Sequence, residues 1–285
     1  MKKIIGIGKT GGLVADQFNS YPEYRVYKVS SPPSEDMATL SVPLCRDMEQ
    51  YEKNFDEQEA AVYLRSITPG DEVLVVVEGG DPLVGILLRL LLVIKDCQLN
   101  VLYISPDRQL ISSIQQRDDK ITFGVLQEYA RSGVFERIFL VHRPVIEDLM
   151  GDAPLDQHEE SLAYFLSYTL AMRNYFLNTT ALTTQGGGIP DHARISTFGG
   201  AVLEVESELS MFYHLAGVGD IHLFYGIPES DIAGDASLMK QIKSHVKSVR
   251  QDDTSVSYSI HPTTLDKPLI IGEFYTAQIQ TPTQK

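Results

Sequence analysis

The sequence predicts an α/β fold: a doubly wound parallel sheet, a long helix, and then a second, smaller α+β domain. Three features of the 285 residues carry that expectation. Short β-branched runs alternate with helical stretches up to about residue 180, the pattern of a parallel sheet with helices on both faces. Two of those runs end in glycine turns, Gly6-Ile7-Gly8-Lys9-Thr10-Gly11-Gly12 and Glu78-Gly79-Gly80-Asp81-Pro82. After Gln185-Gly186-Gly187-Gly188 the alternation gives way to strands gathered around one amphipathic helix. The expected domains are therefore 1–185 and 186–285.

Lys2 to Ile7 forms a strand running into the first glycine turn, and Leu13 to Phe18 continues as a helix. Tyr24 to Val29 is a second strand, and the two prolines within Ser30 to Glu35 mark a loop. Gln50 to Ile67 reads as one helix, closed by Thr68-Pro69-Gly70-Asp71. Val73 to Val77 is wholly apolar, as a strand buried on both faces requires. A helix over Leu83 to Asp96, a strand over Asn100 to Ile104, a helix over Ser112 to Arg131 and a strand over Arg137 to His142 follow. His158 to about Thr180 is one helix of roughly 23 residues, or about 34 Å. In the second domain Asp220 to Tyr225, Ser255 to Ile260 and Leu269 to Gln280 are strands. The helix Asp235 to Arg250 sets Leu238, Ile242, Val246 and Val249 on one side.

Composition narrows the function. Apolar residues make up 43% of the chain, ample for a core, and disorder or a disulfide scaffold is excluded. With 38 acidic against 24 basic residues the formal charge is −14, which argues against general nucleic-acid binding and against acidic membrane surfaces. Two isolated cysteines, Cys45 and Cys97, indicate a reducing compartment. The start Met-Lys-Lys-Ile-Ile-Gly is no signal peptide, and the apolar stretch from Leu83 to Ile94 is too short to cross a bilayer. A cytoplasmic protein without a membrane partner is expected. The seven histidines show no metal spacing.

Both glycine turns fall where a parallel sheet binds ligands, between a strand end and the next helix. Gly6-x-Gly8-x-x-Gly11 has the spacing that lets a backbone approach a pyrophosphate, yet no acid follows the second strand at Ser30 to hold a ribose. Gly8-Lys9-Thr10 resembles the tail of a phosphate-binding P-loop, but Lys3 stands where that motif needs a glycine. A tight strand–helix turn without a ligand is the plainer alternative. In the second turn Glu78 and Asp81 set two negative charges where a phosphate would sit, and Asp81-Pro82 is ordinary helix-capping chemistry. A metal ion bridging these acids to a nucleotide is the other alternative.

The order of elements resembles the tubulin/FtsZ superfamily, closest to the small tubulin-like proteins of phages and plasmids. Ser161 to Thr183 is similar to that family's central helix, and Gly186-Gly187-Gly188-Ile189-Pro190-Asp191-His192-Ala193-Arg194-Ile195-Ser196-Thr197 to its loop of form P-G-L-I-N-x-D-F-A-D-V-K-T. The resemblance implies a nucleotide-type first domain binding GTP or GDP with Mg, and head-to-tail polymerisation into a filament. It places Asp191 as the acid that orients water in the next subunit's site. Gly8, Gly11, Gly12, Gly79, Gly80 and Asp81 fall on the nucleotide loops, and Tyr164 on the base-stacking position.

The departures also matter. The family's G-G-G-T-G-T-G loop corresponds to Glu78 to Val84, which keeps two glycines and no hydroxyl. Leu13 or Val14 replaces one asparagine of the site and Tyr168 another; Ile189 and Arg194 replace an asparagine and an acid of the hydrolytic loop. Unpaired polar groups at a guanine edge are costly, so weak, altered or absent GTP binding is expected, down to no cofactor at all. Two functions follow: a filament-forming GTPase of the host cytoplasm, or a non-catalytic structural protein, for example in a phage particle, with a phage structural or adaptor protein as partner. A Rossmann-type NAD(P) oxidoreductase resting on Gly6, Gly8 and Gly11 ranks third. Lys240, Lys243, Lys247 and Arg250 form a basic stripe that is either a solvated helix face or a contact for an acidic partner or DNA adaptor.

Overall fold

The computed structural model describes residues 2–32, 38–202, 209–250 and 253–282. The chain divides into two compact units, Met1–Ser167 with Thr281–Lys285, and Tyr168–Gln280. The division falls inside the long helix, whereas the sequence places it at 185.

The first unit is built on β1 (Lys2–Ile7), α1 (Gly8–Gln17), β2 (Tyr24–Ser30), β3 (Thr39–Ser41), α2 (Met48–Asn54), α3 (Glu57–Tyr63) and β4 (Glu72–Glu78). It continues with α4 (Leu87–Val93), β5 (Gln98–Ser105), α5 (Ser113–Arg131), β6 (Arg137–His142), α6 (Arg143–Met150) and α7 (His158–Asn178), the last running on into the second unit. Its sheet is parallel throughout, in the order β3-β2-β1-β4-β5-β6. Val75, Val76 and Val77 of β4 and Val101 to Ile104 of β5 are fully buried, because both sheet faces are covered. The doubly wound sheet expected from the sequence is present.

The second unit adds β7 (Thr183–Gln185), β8 (Ile195–Val202), β9 (Ser210–Met211), β10 (Asp220–Pro228), α8 (Glu229–Gly234), α9 (Leu238–Val249), β11 (Ser255–Thr263) and β12 (Leu269–Thr276).

 The closing strand β12 runs from Leu269 to Thr276. Here β8, β12 and β10 pair antiparallel in that order, β10 pairs parallel with β11, and β7 lies antiparallel on β11. A parallel β10–β11 pair needs a crossover, and α8 and α9 supply it. Between these strands runs a chain of buried polar groups. His222 Nδ1 lies 2.8 Å from Ser257 Oγ and its Nε2 3.3 Å from Ser259 Oγ. Ser259 meets His261 Nε2 at 2.9 Å, and His261 Nδ1 meets Thr179 at 3.1 Å. Beside them Glu273, fully buried, accepts from Arg173 Nε at 2.7 Å and from Nη2 at 3.2 Å.

Several elements differ from expectation for local reasons. The helix expected over Gln50 to Ile67 is two helices, because Phe55 is extended and Asp56 caps a new start by accepting from the Gln58 and Glu59 N–H groups. The helix expected at Leu83 opens as a 3-10 turn, Pro82–Ile86, before α4. Helix α6 is additional, starting at Arg143 with Pro144 behind it. Strand β8 takes Ile195, Ser196 and Thr197, which the sequence reading assigns to the end of a loop.

Candidate functional site

In the first unit the strand order reverses between β1 and β4, so the loops leaving their carboxyl ends open a crevice there. Helix α1 begins directly at Gly8, so the glycines of the first motif belong to its opening turns. Its N-cap, Ile7, offers no side-chain acceptor, and the first N–H groups and the positive dipole end face an anion position. Gly8 has φ +73°, a backbone only glycine adopts readily. Gly11 does something else: a Cβ there would stand 2.5 Å from the Val76 carbonyl oxygen, so this glycine lets α1 lie close against β4.

Acids of the chain itself gather beside this helix start. Asp81 caps the 3-10 turn, its Oδ1 accepting from the Leu83 N–H at 2.9 Å. Its Oδ2 occupies the space that a Cβ on Gly8 would need. Burial lifts the Asp81 carboxyl above its ordinary pKa, and the charge of Glu78 adds to the shift against the Leu83 N–H. Glu78, the last residue of β4, accepts from the Thr10 hydroxyl at 2.5 Å and from Arg143 Nη1 at 2.8 Å. Arg143 also donates to Glu147 at 2.8 Å and to Glu159 at 2.6 Å. Burial works against the guanidinium's charge, but Glu78 and Glu159 outweigh it and hold the pKa above its ordinary value. One cation thus ties together the end of β4 and the starts of α6 and α7.

Arg108 is committed as well, donating from Nε to the buried Asp119 at 3.0 Å, while the Tyr103 hydroxyl donates to the same carboxylate at 2.5 Å. Gly79 packs against that cluster, and a side chain there would strike Tyr103 and Asp119. Gly80, at φ +79°, turns the chain beside Ile111 and Gln115. Gly12 is on α1 with open space around it.

These residues do not fit a triphosphate. Glu78, Glu147 and Glu159 share one guanidinium, Asp81 adds a fourth acid without a cationic partner among the described residues, and Lys9, exposed on the first turn of α1, adds a single positive charge. Each further like-charge pair about 6 Å apart costs about 3 kcal/mol at an effective dielectric near 20. No group of three or more acids, histidines or cysteines suited to a metal ion occurs among the described residues. No helix among them is long and apolar enough to cross a membrane.

A separate opening lies at the far ends of α1 and α6. A cleft of about 520 Å³ is lined by Gln17 of α1, Leu149 and Met150 of α6, and Gln157, Glu160 and Tyr164 near the start of α7. Tyr164 is exposed there. Among the described residues, the hydroxyls of Ser30 and Ser105 and Oε2 of Glu159 are buried without a hydrogen-bond partner.

Asp191 lies in the second unit, exposed, on the loop between β7 and β8. Gly186 and Gly188 give that loop two left-handed turns, and the Ser257 hydroxyl holds it by donating to the Gly188 carbonyl at 3.2 Å. His192, next to Asp191, meets Asp220 at 3.1 Å. The sequence reading finds Glu78 and Asp81 but misses Arg143. The one available signal is an arginine directly after the apolar strand Arg137–His142, at the edge where ligands bind.

No protein-family model and no curated protein sequence matches this chain. Solved structures do. A GTPγS-form protofilament of TubZ from Bacillus thuringiensis serovar israelensis superposes with a TM-score of 0.69 at 13% identity, covering 96% of this chain and 88% of that one. An empty FtsZ dimer from M. jannaschii gives 0.69 at 10%, covering 98% and 89%. A GTPγS-bound protofilament of CetZ2 from Haloferax volcanii gives 0.69 at 15%, covering 96% and 92%.

Proposed function

From a chain that carries the tubulin/FtsZ fold through both of its units, we propose a self-assembling protein that sets its own carboxylates where a nucleotide would bring phosphates, and that assembles without hydrolysing GTP. The observation that carries this reading is Asp81: its carboxylate stands against Gly8 at the start of α1, beside Glu78 held by Thr10 and Arg143. Self-association is supported by the similar folds, which include protofilaments and a dimer. The assembly is head to tail, in the cytoplasm.

Binding of GTP and GDP, with and without magnesium, measured by calorimetry while light scattering follows assembly, tests the reading. No binding at millimolar nucleotide, with scattering unchanged after nucleotide is stripped, is the expected result. A strict GTP requirement overturns it. Asp81→Asn keeps the cap and removes one charge, so it should raise pyrophosphate affinity about tenfold or more. Unchanged affinity would show that this carboxylate is not what keeps phosphate out.

A second reading is favoured by the cleft beside Tyr164 and by the unpartnered oxygens of Ser30, Ser105 and Glu159. In it the chain is a GTPase whose Gly8, Gly11, Gly12, Gly79 and Gly80 line the nucleotide, with Tyr164 against the base and Asp191 acting on the neighbouring copy's nucleotide. Micromolar GTP binding in the same experiment would select it.

A further inference from the structure

Helix α9 carries Lys240, Lys243 and Lys247 at steps of three and four, within about 60° of arc at 100° per residue, and Arg250 follows directly as its C-cap. Ile242 and His245 are buried on the opposite side, and all four cations are exposed. Among the described residues none of the four has a carboxylate partner. A row of like charges so close together is unfavourable in isolation, and it stands out on a chain of formal charge −14.

The complementary surface is on the first unit. From the last turn of α6 to the first turn of α7, Asp148, Asp152, Asp156 and Glu160 are exposed, and none has a cationic partner among the described residues. Most acids of α2 and α3 and their caps differ, because they are already engaged, which leaves only Glu52 and Glu59 unpaired there among the described residues. Asp47 and Asp56 cap helices, Glu49 pairs with Lys53, and Glu57 pairs with Arg89. The α6–α7 loop also carries Leu155, 97% exposed, and α9 carries the exposed Met239. Each surface therefore offers four like charges and one bare apolar side chain.

We infer that the basic face of α9 docks on the acidic α6–α7 loop of a second copy of this chain. Cations and acids meet pairwise, and Leu155 is covered by the apolar flank of α9. Because one surface lies on each unit and they differ, the contact is heterologous and repeats from copy to copy. The inference rests on the self-assembly reading and names the surfaces that assembly uses. It also places the joint at the rim of the Tyr164 cleft, since Glu160 belongs to both.

A charge swap tests it. Lys243→Glu with Lys247→Glu puts acid against acid, and Asp152→Lys with Asp156→Lys puts base against base. Each double variant alone should raise the concentration needed for sedimentable assembly by about tenfold or more. A one-to-one mixture should assemble near the parent's concentration, because every contact in an alternating chain is complementary again. That recovery also shows that both variants fold. Rising salt should weaken the parent's assembly. Variants that assemble alone as the parent does, or a mixture that fails to recover, overturn the inference while leaving self-assembly intact. Binding of a short DNA duplex at physiological salt, lost in the α9 variant, would also overturn it by assigning the face to nucleic acid. A parent that stays monomeric with and without nucleotide removes the self-assembly reading and this one with it.

Discussion

Arg143→Met is expected to lower the stability of the first unit by about 3 kcal/mol, near the lower end for breaking a buried ion pair from one side. The methionine keeps most of the volume and removes the charge, leaving Glu78, Glu147 and Glu159 facing one another without a cation. The side chains involved are between 15 and 33% exposed, so water recovers part of the loss. For a unit of this size the melting midpoint should fall by about 10 °C. A midpoint within a degree or two of the parent at pH 7 would show that Arg143 does not hold β4, α6 and α7 together.

Acid should weaken the second unit through His222. Burial pulls its pKa down from 6.5 to about 4, with His261 and Arg173 pushing the same way and Glu273 opposing. Above pH 6.5 the ring is neutral whether folded or not, and its contribution is fully present. Below that the unfolded chain takes up a proton and the folded chain does not. Stability therefore falls from pH 6.5 until the folded ring titrates near 4, by about 3 kcal/mol. His261, lowered by burial as well, works in the same direction. His222→Gln keeps a hydrogen-bonding group between Ser257 and Ser259 but cannot titrate. Denaturant midpoints at pH 7 and 4.5 should show a smaller acid loss in that variant than in the parent. Equal losses would remove His222 as the cause.

The elements that sequence alone reveals are those with a long, uninterrupted signal. Strand β4 is wholly apolar at its centre, α7 has room for six turns, and α9 separates its apolar and basic sides along 12 residues. Short or broken elements carry too little pattern. Helix α6 has 8 residues, β7 has 3, and the stop at Phe55 depends on a backbone angle rather than on composition. At the site, both glycine turns and the capping role of Asp81 are local and readable. The bonds that give the site its charge balance are not, because Thr10 and Arg143 lie 68 and 65 residues from Glu78. Only the pairing of β1 with β4, and the start of α6 at the same edge, brings them together.

The carboxylate of Asp81 is attached to the chain that it serves. A phosphate delivered by a nucleotide is cleaved and leaves, and a polymer built on it carries a clock: young subunits differ from old ones. A subunit that carries its own anion has no age. On the proposed reading, such a polymer grows and shrinks reversibly, with one critical concentration at both ends and no treadmilling. Its length then follows protein concentration and ionic strength, and taking it apart quickly falls to dilution or to another molecule.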